Sequence, residues 1–237
     1  MANSPSTRDR LLSRRTLLRH AAVGGAVLST FGWPEGRAAY AADPPSGDRI
    51  TPDAAWQRLL EGNRRFVDGK PQAPRRDAAR RADVAETQHP FAAFLSCADS
   101  RVPLEIVFDE GIGDLFVVRN AGNITTPEVI ASLEYGTLVL GAAVLVVVGH
   151  TGCGAVKATM AGDAVPGQIS TLYQHIMPAV DRGGKDIDAV TRANVDIQAR
   201  TLRQASPVIA GLVREGKLAV RGVVYDIKSG RLAPVEV

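Results

Sequence analysis

The sequence predicts an α/β domain built on a mostly parallel central β-sheet flanked by helices, with an N-terminal helical arm. Two observations carry that expectation. Short apolar runs recur at residues 91–96, 115–118, 144–148 and 218–225, separated by segments long enough for helices, and strands that alternate with helices form parallel sheets. The third run, Val144-Leu145-Val146-Val147-Val148, is apolar at every position, as expected of a central strand covered on both faces.

The chain has 237 residues, 45% of them hydrophobic and 22% charged, which is ordinary globular usage and enough for one substantial core. No repeat or second catalytic domain is evident. Arg8, Arg10, Arg14, Arg15 and Arg19 precede an apolar, small-residue run at 21–33, too short to span a bilayer core of about 30 Å as a helix. Ser13-Arg14-Arg15-Thr16-Leu17-Leu18 resembles the twin-arginine export pattern, and Ala39-Tyr40-Ala41 supplies a small-x-small cleavage site. Residues 1–41 are therefore expected to be a twin-arginine-type signal peptide, 42–50 a Pro/Gly/Ser linker, and 51–237 the catalytic domain. The expected destination is the periplasm or the extracellular space, with no transmembrane segment in the mature chain.

The linker gives way to Thr51-Pro52-Asp53, a cap residue, a proline at the first helical position and an early acid, which together start a helix. Trp56, Leu59, Leu60 and Phe66 supply its apolar face, and Asp68-Gly69 stops it before a Pro- and Arg-rich segment at 71–81. The arginines cluster there and near the N-terminus, while the formal net charge is only +3. That distribution gives no basic stripe for a nucleic acid, and none is expected as a partner.

The chain holds two cysteines, too few for a disulfide framework, so each raises the question of ligation or nucleophilicity. Cys97 follows the first predicted strand and His150 the central one, where strands of an open α/β sheet deliver residues to a ligand crevice. His150-Thr151-Gly152-Cys153 adds a second sulfur three residues on, in a loop that Gly149, Gly152 and Gly154 allow to turn tightly. Two thiolates and one imidazole form a good Zn²⁺ set, and three protein ligands leave the open fourth position of a catalytic site. A thiol oxidoreductase fits poorly, because no C-x-x-C occurs and the cysteines are 56 residues apart.

Cys97-Ala98-Asp99-Ser100-Arg101-Val102 and His150-Thr151-Gly152-Cys153-Gly154 resemble the two motifs of the β-carbonic anhydrases. Further similar stretches are Gly62-Asn63-Arg64-Arg65-Phe66, Phe116-Val117-Val118-Arg119-Asn120-Ala121-Gly122-Asn123, Glu134-Tyr135 and Gly222-Val223-Val224-Tyr225-Asp226. The resemblance thus covers about residues 51–237. It implies one Zn²⁺ per subunit held by Cys97, His150 and Cys153, and reversible hydration of CO₂ to bicarbonate and a proton by a zinc-bound hydroxide. It also implies a homodimer or higher homo-oligomer whose N-terminal helices embrace a partner.

Within that resemblance, Asp99 paired with Arg101 accepts the proton of the hydroxide and aims it, a role that needs an ionised, fixed carboxylate. Gln88 matches a glutamine that donates to the substrate oxygen. Phe116 and Tyr135 match residues lining an apolar CO₂ pocket, often across a subunit boundary, and Gly152 lets the backbone approach the substrate. Neither His89 nor His175 is fixed by a motif as a proton shuttle. Some members carry a tryptophan three residues before the first cysteine that helps bind regulatory bicarbonate and favours a closed state with the aspartate as fourth zinc ligand. Phe94 stands there, which implies the always-open subtype, with water rather than Asp99 as resting ligand. A non-catalytic zinc or bicarbonate-binding protein, or a hydrolase of carbon disulfide or carbonyl sulfide, are the alternatives that the same fold allows.

Overall fold

The computed structural model describes residues 49–237; the expected signal segment and cleavage site, and nearly all of the expected linker, lie outside the described residues. Five strands make one sheet: β1 (Ala92–Cys97), β2 (Leu115–Asn120), β3 (Val144–His150), β4 (Ala219–Tyr225) and β5 (Leu232–Val235), in the order β2-β1-β3-β4-β5. β1 to β4 are mutually parallel, and β5 runs antiparallel to β4. The apolar runs locate the first four to within two residues at each end. β3 is indeed the middle strand, with all seven residues buried.

Helices cover both faces. On one face, α1 (Pro52–Val67) and the single turn α3 (Leu104–Val107) contribute Ala55, Leu59, Leu104 and Val107. With Phe108 they pack on Phe94, Val144, Val146, Val148 and Val223. On the other, α4 (Pro127–Glu134), α7 (Ile187–Ala205) and α8 (Pro207–Arg214) lay Val129, Leu133, Val195, Ala199, Leu202 and Ile209 against Ala93, Leu95, Leu145, Val147 and Val224. Each fully buried aliphatic side chain contributes about 1.5–3 kcal/mol, so β3, sandwiched twice, is the most firmly held strand. The α1 start is capped as its sequence requires, with Thr51 Oγ1 accepting from Ala54 N at 3.2 Å. No helix among the described residues is long and apolar enough to cross a membrane.

The arginine-rich segment is not merely a break after α1. It contains α2 (Ala78–Asp83), capped by Asp77 and without a single buried residue. What fixes this segment is a turn carrying Asp109, Glu110 and Asp114, all nearly inaccessible. Arg65 Nε reaches Asp109 Oδ2 at 2.6 Å, Arg58 Nη2 reaches Glu110 Oε2 at 2.6 Å, and Arg75 spans Glu110 and Asp114 at 2.7 and 2.8 Å. Burial would push the Asp109 and Asp114 carboxyls up. The arginines and the backbone N–H groups of Gln72, Ala73 and Gly111 more than offset this and hold both below the usual carboxylate range. Buried ion pairs of this kind fix position more than they add net stability. They tether the arm to the loop between α3 and β2.

The strand order places the site. From β1 the chain moves outward to β2, then crosses back over β1 to β3 and onward to β4. The direction of winding therefore reverses between β1 and β3, and the crevice at their carboxyl ends is where such sheets bind ligands.

Candidate metal centre

Cys97 ends β1, His150 ends β3, and Cys153 stands at the N-terminus of α5 (Gly154–Ala161). Their ligand atoms all lie within 4.8 Å of one another. The three residues are 5%, 1% and 2% exposed, so the cluster is enclosed, and both cysteines are free.

The imidazole is prepared for one task. Its Nδ1 lies 3.0 Å from the Thr151 carbonyl, which can only accept, so Nδ1 carries the proton and Nε2 presents a lone pair. That Nε2 is buried and has no hydrogen-bond partner. An unsatisfied buried nitrogen costs about 1–3 kcal/mol, and a cation beside the two sulfurs would satisfy it. The sulfurs make the same demand. A hydrogen bond from Cys153 is the main cause that draws the Cys97 thiol down to about 4, with help from the N–H groups of Gly122 and Asp99. The Cys97 thiolate and burial together push Cys153 far above the ordinary thiol range. The two sulfurs thus keep one proton between them, and only a cation in its place lets both ionise; two sulfurs with one neutral imidazole fit Zn²⁺. The residues present therefore fit the metal. Burial opposes charge on His150, but the neighbouring Cys97 thiolate outweighs it and raises the pKa; a cation at the sulfurs would reverse that balance.

Asp99 and Arg101 form a forked pair next to this cluster: Arg101 Nε to Oδ1 at 2.9 Å, Nη2 to Oδ2 at 2.7 Å, with the Arg101 backbone N–H on Oδ1 at 3.0 Å. The guanidinium holds the Asp99 carboxyl far below the usual range. Asp99 Oδ2 lies 3.7 Å from His150 Nε2, yet the carboxylate is not one of the convergent three. Arg119 spends its Nε on the Cys97 carbonyl at 2.9 Å and its Nη2 on the Asp99 carbonyl at 2.6 Å. It clamps the strand exit that carries both residues. Phe94 is wholly buried on the α1 face, 5.1 Å from the Phe108 ring.

Gly152 has φ +67, and a Cβ at this position would meet no atom nearer than 3.8 Å. The loop between His150 and Cys153 thus turns in a conformation that suits glycine and leaves space above its backbone. Thr151 N donates to the Tyr225 carbonyl at 3.0 Å, and its Oγ1 accepts from Ile227 N at 3.2 Å, so β4 anchors the peptide that orients His150. Sequence reasoning did not single out Thr151, Gly122 or the clamp made by Arg119. They act through backbone groups, which leave no mark in residue type.

The remaining substrate candidates are elsewhere in the subunit. Phe116 sits in β2 opposite Ala93, four positions before Asn120, the partner of Cys97, or about 13 Å along the strand. It packs against Tyr135, with ring centroids 6.2 Å apart. Gln88 lies four residues before β1, in a shallow cleft with Val84, Thr87 and Gly113 at the opposite end of the strand from Cys97. One chain does not bring Gln88, Phe116 or Tyr135 to the sulfur–imidazole cluster.

A family model described as carbonic anhydrase matches residues 92–232, more than half of the chain. Carbonic anhydrase 2 of Mycobacterium tuberculosis is 40% identical over 188 residues, covering 76% of this chain and 91% of that protein. A carbonic anhydrase of Mycolicibacterium smegmatis is 38% identical over 189 residues, covering 76% and 92%. Among solved structures, a tetrameric β-carbonic anhydrase from Sordaria macrospora superimposes with a TM-score of 0.62 at 25% identity, covering 77% of this chain and 97% of that one. The Coccomyxa β-carbonic anhydrase in complex with acetazolamide gives 0.60 at 28%, covering 75% and 84%.

Proposed function

The chain belongs to the β-carbonic anhydrase family, and we propose that it hydrates CO₂ reversibly to bicarbonate and a proton with one Zn²⁺ per subunit held by Cys97 Sγ, His150 Nε2 and Cys153 Sγ. The observation that carries this is the convergence of those three atoms within 4.8 Å around a buried nitrogen that nothing else satisfies. When bound, the ion lowers the pKa of a coordinated water from 15.7 to about 7 and so supplies the nucleophile at neutral pH. The protein's own part is orientation. Asp99, kept ionised and fixed in direction by Arg101, accepts a hydrogen bond from the attacking water and aims its lone pair at CO₂. Arg119 holds the carbonyls on either side of that turn, and Gly152 leaves the approach open. The forked Asp99–Arg101 pair, together with an Arg119 already committed to backbone carbonyls and a buried Phe94, supports the always-open subtype.

Stopped-flow CO₂ hydration on the zinc-replete mature protein, with and without a strong chelator, tests the assignment. We expect loss of activity on metal removal and recovery on adding zinc. A chelator-treated, metal-free protein that still hydrates CO₂ would refute it, and zinc binding without turnover would favour the non-catalytic alternative.

Gln88, Phe116 and Tyr135 serve the site of a second copy. β2 is an edge strand, and Tyr135 and Leu138 beside it are 43% and 52% exposed, which leaves an apolar strip free for a two-fold partner. In such a pairing each subunit offers the same surface to the other. Mixing weakly active Gln88→Ala and Asp99→Asn variants under conditions that reassort subunits should then restore about a quarter of wild-type activity. Half the dimers are mixed, and one of their two sites is intact. Activity that stays at the average of the two parents would place Gln88 outside the partner's site.

A further inference from the structure

The segment after β2 passes beside Cys97 with Gly122 at φ +80. A Cβ there would come within 2.7 Å of Ile176 Cδ1 and 3.2 Å of Ala155 Cβ, so the position is confined to glycine both by conformation and by the walls of α5 and α6 (Tyr173–Gly183). Gly122 is held from two sides. Its N–H bonds to Cys97 Sγ at 3.4 Å, and its carbonyl accepts from Asn194 Nδ2 at 2.9 Å. Asn194 Oδ1 accepts in turn from Gln198 Nε2 at 3.1 Å, which also donates to the His175 carbonyl at 3.0 Å. Gln198 Oε1 accepts from Thr125 N at 2.8 Å.

Asn194 and Gln198 are one turn apart on α7, on the face that carries Val190, and are nearly inaccessible. Burying two primary amides is costly unless their polar atoms are bonded. Here they are, and the chain of bonds they make ends on a sulfur of the metal set. Bonds of this kind to a ligand orient it and tune the metal.

We propose that Asn194, braced by Gln198, is a positioning residue of the metal centre: it fixes Gly122 so that its N–H bonds to Cys97 Sγ, which orients that sulfur and moderates its charge, and so sets the affinity for the metal. The inference rests on the zinc reading above. Its test is the equilibrium zinc affinity of the full-length mature protein, measured by competition with a chromophoric chelator. The thiolate-to-cobalt charge-transfer band of the Co²⁺-substituted protein is recorded alongside.

Asn194→Leu keeps the volume and removes the donor, and we expect zinc to bind about 10- to 100-fold more weakly, with a shifted band and an unchanged far-ultraviolet circular dichroism spectrum. If the leucine variant does not fold, Asn194→Ala, which removes the donor without crowding, carries the same expectation. A role confined to supporting the loop would lower thermal stability but leave affinity within about twofold of wild type and the band in place, and that result overturns the proposal. Wild-type protein that binds no zinc would overturn the zinc reading and this inference together. Tight wild-type binding with unaffected variants would overturn the inference alone.

Discussion

Cys153→Ser is expected to lose its zinc and to fall below about one-thousandth of wild-type CO₂ hydration, because the acidity that the ion lends to water, a change from 15.7 to about 7, goes with it. The substitution separates metal from fold. Cys153 stands at the N-terminus of α5 and makes no capping bond through its side chain, and serine is a favoured residue at such a position. The helix therefore keeps or improves its cap while the site keeps only Cys97 and His150, with a hydroxyl too weakly acidic to replace a thiolate. Metal analysis and circular dichroism on the same sample check both halves. A folded variant with one zinc per subunit and normal turnover would reject Cys153 as a ligand.

Asp99→Asn is expected to keep its zinc and lose CO₂ hydration by one to two orders of magnitude, the range for changes just outside the ligand set. The shape is preserved, but the charge that Arg101 grips at 2.7 and 2.9 Å is gone. The amide nitrogen can also turn towards the attacking water as a donor and reverse the sense of the orienting bond. Arg101→Ala should give a similar loss by the opposite route. With the guanidinium removed, Asp99 Oδ2, already 3.7 Å from His150 Nε2, is free to turn into the metal position. Equal kcat/KM for wild type and both variants would show that the pair only stabilises its turn.

The cluster of Cys97, His150 and Cys153 was legible in the sequence because metal ligation demands rare side chains. Two cysteines and a histidine at strand ends have few competing uses, and the winding reversal between β1 and β3 brings them together. β1 and β3 were legible because burial on both faces writes a nearly unbroken apolar run, and β2 and β4, less completely buried, still keep short apolar stretches at 115–118 and 223–225. β5 was not: it is four residues long, contains Pro234 and is only half-buried, so it has neither run nor alternation. α2 was hidden for a related reason. It buries nothing, and its place is set by Arg75 and Arg80 reaching Glu110, Asp114 and the Ile112 carbonyl more than 30 positions away, a long-range pairing that local periodicity does not record. Gln88, Phe116 and Tyr135 were found only through resemblance, since a glutamine and two aromatics have ordinary structural uses, and the subunit places them away from the cluster they were matched to.

X-ray absorption at the zinc edge of the purified protein near neutral pH tests the central claim most directly. The account predicts one zinc per subunit with two sulfurs at about 2.3 Å and two nitrogen or oxygen neighbours at about 2.0–2.1 Å, one from His150 and one from water. A first shell without two sulfurs, or a protein that purifies and stays active without a stoichiometric metal, would contradict it.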